Sequence, residues 1–205
     1  MVEFSTALDW QQQWQKQLLD QTSIKQAVWL LEHQACYTLG KGANLSNILF
    51  DPSDPPYKVH RINRGGDITH HVEGQLVGYL VLDLSRYQKD LDWYLRKLEQ
   101  VLLDVLEKLG LQGQRLEGMT GVWIEGVKVG SIGIGCRRWI TLHGFSLNVD
   151  CDSKGFESII PCGIKNCAVG SLDDWIPGLR VVDVKPLIKK ALAEHFSLEW
   201  EIKNT

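Results

Sequence analysis

Apolar residues recur at helical spacing in three stretches of the chain. The clearest stretch predicts a helix over residues 90–109, where leucines and valines form one broad apolar stripe. A second helix is predicted over residues 6–21, with Thr6 as its cap. A third is predicted over residues 184–196, with Asp183 as its cap. These stripes are typical of core packing.

Strand patterns lie between the helices. Residues 25–32 form a short apolar run, residues 57–63 alternate between apolar and polar, and residues 76–84 return as a strong strand. Residues 122–134 read as two β-prone arms around a tight turn at Gly126. Because helices and hairpins are mixed, we predict one α+β domain with a mixed or antiparallel sheet and flanking helices.

Composition narrows the class of protein. The chain has 205 residues, a net charge of -3 and 44% hydrophobic residues, which predicts one soluble domain over residues 1–205. The charge gives no reason to bind nucleic acid, and neither a membrane span nor a secretion signal is recognisable. Five cysteines without a Cys-x-x-Cys pair disfavour a disulfide scaffold or a zinc site. We therefore expect a cytoplasmic monomer without a metal.

A dense group of polar residues occupies residues 64–71, which read Arg-Gly-Gly-Asp-Ile-Thr-His-His. Arg64 offers a planar fork of donors, and Gly65 and Gly66 allow the backbone to approach a ligand closely. Such a group fits a site for a ligand with a carboxyl or phosphate group. A solvated loop with a structural arginine is an equal alternative from these residues alone.

Lys128 and Cys162 are candidates for an activated thiolate. Lys128 lies on the second arm of the predicted hairpin among valines and glycines, and Cys162 lies between Pro161 and Gly163. The thiolate form of cysteine is the nucleophile, and a nearby ammonium favours it. The sequence does not show that the two side chains meet.

The set of short motifs resembles the lipoyl(octanoyl) transferases of lipoate biosynthesis. The resemblance covers roughly residues 28–180, and its specificity lies in the order of several motifs, since Arg-Gly-Gly alone also occurs in ATP-dependent lipoate ligases. The matching segments are Glu32-His33, 38–40, 64–71, Gly74-Gln75, Tyr79, 120–123, Lys128, 131–133, 143–149 and 161–163.

The resemblance implies the fold of the catalytic domains of biotin and lipoate protein ligases. It implies transfer of octanoyl from acyl carrier protein to a lysine on lipoyl domains of 2-oxoacid dehydrogenase complexes or on the glycine cleavage H protein, without a cofactor. Cys162 would carry the acyl group as a thioester, and Lys128 would favour its thiolate. The implied acyl-binding residues are Arg64, Gly65, Gly66, Asp67, Ile68, Thr69, His70, His71, Ser131, Ile132, Gly133, Gly144, Phe145 and Ser146.

Three other functions are compatible with parts of the pattern. An ATP-dependent lipoate or biotin ligase would not need Cys162, and the glycine–arginine-rich loop of biotin ligases is not recognisable. An amidotransferase of the same fold would move octanoyl between two lipoyl-bearing proteins. A non-catalytic domain would only bind these partners. Cys136, Cys151 and Cys167 are alternative nucleophiles, but only Cys162 has the family's Pro-Cys-Gly frame.

An acidic acyl carrier protein requires a local basic surface on its partner. The candidate docking residues are Lys41, Lys58, Arg61, Arg137, Arg138 and Lys165.

Overall fold

Two β-sheets form the framework of the computed structural model, which describes residues 1–164 and 167–201. The strands are β1 Ala27–Leu31, β2 Cys36–Leu39, β3 Lys58–Arg61, β4 Ile68–His71, β5 Gln75–Val81, β6 Gly113–Gln114, β7 Val122–Ile124, β8 Val127–Arg137 and β9 Ile140–Asn148. The larger sheet is antiparallel in the order β1-β5-β9-β8-β7-β6. In the smaller sheet, β2 pairs with β3 in parallel and with β4 in antiparallel. The predicted α+β class with a mixed sheet is confirmed.

Helices cover both faces of the larger sheet. The helices are α1 Phe4–Leu19, α2 Leu91–Lys108, α3 Lys154–Glu157 and α4 Val181–Phe196. Side chains alternate across a strand, so β5 sends Leu76 and Leu80 into the core beneath α2 and α4, and Val77 and Tyr79 into the cluster beneath α1. The burial of these two faces fixes the register of the central strands. No helix in the described ranges combines the length and the apolarity needed to cross a bilayer.

Helix α2 begins as predicted, because the carboxylate of Asp90 accepts the N–H groups of Asp92 and Trp93 at 2.9 and 3.1 Å. The two predicted caps, Thr6 and Asp183, are wrong. Helix α1 already begins at Phe4, so Thr6 lies inside it. Helix α4 begins at Val181, and the carboxylate of Asp183 accepts the N–H of Arg180 from the third helical position. An acidic residue near a helix start can therefore serve from inside the first turn.

Strands β2, β4 and β9 were not predicted. Strands β2 and β4 lie in stretches read as loops, and β9 lies in a stretch that was given no element. Each carries buried polar residues such as Thr38, Thr69 and Thr141, which disguise the apolar pattern of a buried strand. Residues 68–71 thus belong to a buried sheet rather than to a solvated loop. The predicted hairpin is confirmed, and its second arm extends to Arg137.

Candidate active site

The side chains of Lys128 and Cys162 meet although they lie 34 residues apart, with Nζ 3.2 Å from Sγ. Lys128 is only 2% exposed. Its Nζ also donates to the carbonyl of Thr120 at 3.3 Å and lies over the ring of Trp123, 4.9 Å from the centroid. The buried ammonium therefore contacts the sulfur, one carbonyl and one aromatic ring. A positive charge in contact with a cysteine sulfur favours the thiolate form.

Backbone contacts hold the loop of residues 160–164 against strand β8. On the far side of the loop, the N–H of Lys128 donates to the carbonyl of Ala168 at 2.8 Å. At the start of the loop, the N–H of Ile160 donates to the carbonyl of Asn47 at 2.8 Å. The position of the cysteine is thus set by long-range pairing.

Cys162 has a left-handed backbone, with φ 57° and ψ 17°, inside the short helical turn Pro161–Gly163. This conformation is unusual for a residue with a Cβ and marks a position held by its surroundings. Gly163 follows with φ 70°, and a Cβ there would lie 2.8 Å from Oδ2 of Asp67. The glycine of the Pro-Cys-Gly frame therefore has a steric basis.

The other four cysteines lack this environment. Burial raises the pKa of Cys36 to about 12 and that of Cys151 to about 11. Burial also raises the pKa of Cys136 and of Cys167, the latter against the opposing effect of nearby Lys128. These four side chains are held as protonated thiols at neutral pH.

A cavity of about 260 Å³ extends from the lysine–cysteine pair along strands β8 and β9. All but two of the predicted acyl-binding residues line it. Those that do are Arg64, Gly66, Asp67, Ile68, Thr69, His71, Ser131, Ile132, Gly133, Gly144, Phe145 and Ser146. Ser131 Oγ lies 3.9 Å from Cys162 Sγ, so the strand passes directly beside the sulfur.

His70 does not line this cavity, contrary to the prediction. Side chains alternate along β4, so Thr69 and His71 face the cavity and His70 turns to the opposite face. Its ring packs 4.9 Å from the ring of Tyr37 and 5.4 Å from that of Phe156, between centroids. Burial lowers the pKa of His70 to about 4, so the ring is neutral.

Gly65 and Arg64 use their polar groups to build the site. The N–H of Gly65 donates to the carbonyl of Ile134 at 2.8 Å, and Gly65 is the second predicted residue that does not line the cavity. Arg64 Nη2 donates to the carbonyl and Oγ1 of Thr38 at 2.8 and 2.9 Å, and Nη1 donates to the carbonyl of Gly65 at 2.9 Å. The guanidinium that was expected to bind a ligand therefore mainly binds its own loop and strand β2 of the smaller sheet.

A chain of hydrogen bonds fixes the polar side of the cavity. His71 Nδ1 donates to Gln75 Oε1 at 2.7 Å, and Gln75 Nε2 donates to Asn148 Oδ1 at 2.8 Å. Asn148 Nδ2 then donates to the carbonyl of Gly170 at 2.9 Å. Burial lowers the pKa of His71 well below its usual value, so its ring is neutral. The network leaves each side chain in one orientation.

Eight residues that line the cavity were not predicted as site residues. They are Phe4, Ile62, Tyr79, Gly118, Met119, Thr120, His143 and Ile164. Tyr79 and His143 stand in the matching motifs, so the resemblance contained a signal for both. Phe4 and Ile62 could not be predicted as site residues, because an apolar residue on a helix or at a strand edge is normally assigned to the hydrophobic core.

Five basic side chains line a second cleft of about 840 Å³, which shares Ile62 and His143 with the cavity. Lys58 is not among them, and it pairs with Glu3 at 2.7 Å. Lys165 lies outside the described residues. The basic side chains are Lys16, Lys41, Arg61, Arg137 and Arg138.

Metal ligands are not clustered in the part of the chain that the structure describes: no group of three His, Cys, Asp or Glu side chains is arranged to hold an ion.

Known proteins resemble the chain in sequence. Residues 5–196 match the family model of the lipoyl protein ligase A/B catalytic domain. An octanoyltransferase of Prochlorococcus marinus strain MIT 9313 is 59% identical over 201 residues, which cover 98% of this chain and 83% of that protein. An octanoyltransferase of P. marinus strain SARG is 60% identical over 200 residues, covering 98% and 89%.

Solved structures share the fold at much lower identity. A lipoate-protein ligase A bound with ATP has a TM-score of 0.72 at 15% identity, over 87% of this chain and 76% of that chain. A bipartite lipoate protein ligase from Thermoplasma acidophilum has a TM-score of 0.71 at 15% identity, over 87% and 74%. With the family model and the sequence relatives spanning nearly its whole length, the chain belongs to the lipoyl protein ligase A/B catalytic-domain family and, within it, to the octanoyltransferases.

Proposed function

We propose that the protein transfers an octanoyl group from acyl carrier protein to a lysine of a lipoyl domain, with Cys162 carrying the group between the two steps. The observation that carries this proposal is the 3.2 Å contact of Lys128 Nζ with Cys162 Sγ at the cavity. The acceptors would be lipoyl domains of 2-oxoacid dehydrogenase complexes and the glycine cleavage H protein, in the cytoplasm.

In the first step, the Cys162 thiolate attacks the carbonyl carbon of the octanoyl thioester. A new carbon–sulfur bond forms, and the bond to the carrier's sulfur breaks. The Lys128 ammonium favours the attacking thiolate and afterwards gives a proton to the departing carrier thiolate. Lys128 is then a neutral amine.

In the second step, the acceptor lysine arrives as an ammonium and must lose a proton before it can attack. Neutral Lys128 accepts that proton as a general base. The amine then attacks the thioester carbon, the nitrogen releases a second proton to solvent as the amide bond forms, and Cys162 leaves as the thiolate. Both residues return to their starting charges, so the two steps balance without a metal or a nucleotide.

Strand alternation favours Ile132 as an oxyanion donor. The carbonyl of Ile134 faces Gly65 on the open side of β8, and residues two apart on a strand point their backbone groups to the same side. The N–H of Ile132 therefore faces that open side, next to the cavity. Residues 144–146 are worse candidates, because β9 is paired on both sides and uses its N–H groups in the sheet. A developing negative charge on the thioester oxygen needs such a donor.

The test is intact-protein mass spectrometry after incubation with octanoyl-acyl carrier protein in the absence of ATP. We expect a hydroxylamine-labile octanoyl adduct on the wild type, no adduct on Cys162→Ala, and slower formation on Lys128→Ala. Cys167→Ala is the matched control and keeps the adduct. If no adduct forms without ATP, and octanoate plus ATP supports transfer, the protein is instead an ATP-dependent ligase.

A further inference from the structure

His143 and Ile62 stand between the cavity and the basic cleft, because both side chains line both spaces. Lys128 and Cys162 line only the cavity, at its other end. The two shared residues therefore separate the cavity from the cleft.

The distance from the sulfur to this partition matches an eight-carbon chain. Ser131 lies beside Cys162 and pairs with Ser146, and three positions along the same ladder Ile134 pairs with His143. Three strand residues span about 10 Å. The seven carbon–carbon bonds of an extended octanoyl chain span about 8–9 Å, at the ~1.2 Å per bond of an extended chain. An octanoyl group on the sulfur thus reaches the level of His143 with its methyl end.

We propose that His143 and Ile62 form the wall that limits the length of the acyl chain. This inference rests on the proposed function, since it concerns the group carried on Cys162. Beyond the wall lies open space of about 840 Å³, so the limit comes from these two side chains rather than from the depth of the fold.

The position of His143 is well determined. It is 2% exposed and has a left-handed backbone with φ 62°. Its N–H donates to Gln11 Oε1 at 2.9 Å, which ties it to helix α1, and its ring packs against that of Tyr79 at 6.3 Å between centroids. Among the described residues, its Nδ1 has no hydrogen-bond partner. A fixed ring with an unpaired polar atom makes a poor surface for further methylene groups.

The experiment compares acyl-enzyme formation from octanoyl- and dodecanoyl-acyl carrier protein by single-turnover intact-protein mass spectrometry. Dodecanoyl is longer by about 5 Å, at ~1.2 Å per bond. The variants are His143→Ala and Ile62→Ala, so that one remains informative if the other fails to fold. Leu8→Ala is the matched control, because Leu8 lines the cleft but not the cavity.

We expect the wild type and Leu8→Ala to prefer octanoyl strongly. In at least one wall variant, the ratio of dodecanoyl to octanoyl rates should rise about tenfold or more, the scale on which apolar pockets reject an extra methylene group. Unchanged ratios in both folded wall variants, an equal rise in Leu8→Ala, or a wild type that accepts both chains equally would each overturn the inference. A wild type that forms no adduct with either donor would overturn the proposed function itself.

Discussion

The carboxylate of Glu99 accepts a hydrogen bond from the backbone N–H of Gly121 at 3.1 Å, from helix α2 to the segment before β7. Glu99 is 0% exposed. The residue before Gly121 is Thr120, whose carbonyl accepts the Lys128 ammonium. A buried carboxylate outside the cavity therefore fixes the backbone that positions Lys128.

We predict that Glu99→Gln lowers both stability and the rate of acylation. The other oxygen of Glu99 pairs with Arg96 at 2.6 Å and Arg115 at 2.8 Å, and loss of a buried charge-assisted hydrogen bond costs about 2 kcal/mol. Urea unfolding measures the stability. Glu107→Gln, on an exposed part of the same helix, is the control and should change little. Equal midpoints for the two variants would contradict the prediction.

We predict that Lys128→Met slows the alkylation of Cys162 by iodoacetamide about tenfold at pH 7, because the ammonium that favours the thiolate is gone. Methionine keeps much of the length of the side chain. The rate is followed by peptide mass spectrometry, which also reports the other cysteines. Lys154→Met, at an exposed lysine paired with Asp152, should alkylate at the wild-type rate. A wild-type rate in Lys128→Met would show that the lysine does not activate the sulfur.

Stability should fall as the pH is lowered below about 6.5, because buried histidines are held neutral. Burial lowers the pKa of His33, His70, His71 and His143, to about 4 for His70 and His143. Between pH 6.5 and pH 4, roughly, the unfolded chain binds more protons than the folded protein. The free energy of unfolding therefore decreases as the pH is lowered, by up to about 1.4 kcal/mol per pH unit for each such histidine.

The variant His70→Asn tests this explanation. Asparagine does not titrate and can keep the contact of Nδ1 with the carbonyl of Cys36. We expect its overall stability to be lower. The slope of the free energy of unfolding against pH should also be smaller, by the contribution of one titrating histidine. Urea unfolding at several pH values gives the slope. The same slope as the wild type would mean that His70 does not contribute.

Arg137 and Arg138 were candidate docking residues from the sequence, but their distance from Cys162 now predicts that charge reversal there leaves the KM for octanoyl-acyl carrier protein unchanged. The nine positions from Lys128 to Arg137 along β8 span about 30 Å of extended strand. The carrier must present its thioester at Cys162, at the opposite end of that strand. Steady-state kinetics at low salt, where surface charges act most strongly, is the measurement. A raised KM would place the carrier across the basic cleft.

The elements that were predicted correctly from the sequence are those whose structure depends on neighbouring residues. The helix over residues 90–109 has a capping aspartate and one apolar stripe, and the turn at Gly126 has a glycine with φ 83°. Both features depend on neighbours in the sequence, so they could be found without knowledge of the fold.

The site was predictable only in part, since its geometry depends on long-range pairing. The contact of Lys128 with Cys162 requires Lys128 to pair with the chain beyond the cysteine, at Ala168. Phe4 reaches the cavity because helix α1 packs across β5 and β9. The motif of residues 64–71 was found through its polar residues, but only strand alternation shows that His70 faces away.

The left-handed backbone of Cys162 sets stability against activity at this position. A left-handed conformation costs a residue with a Cβ about 1–2 kcal/mol, and glycine avoids most of that cost. Cys162→Gly is therefore expected to raise the melting temperature while it removes the sulfur. Selection for thermal stability alone would drive the reactive residue out of the protein, and only selection for activity would keep it.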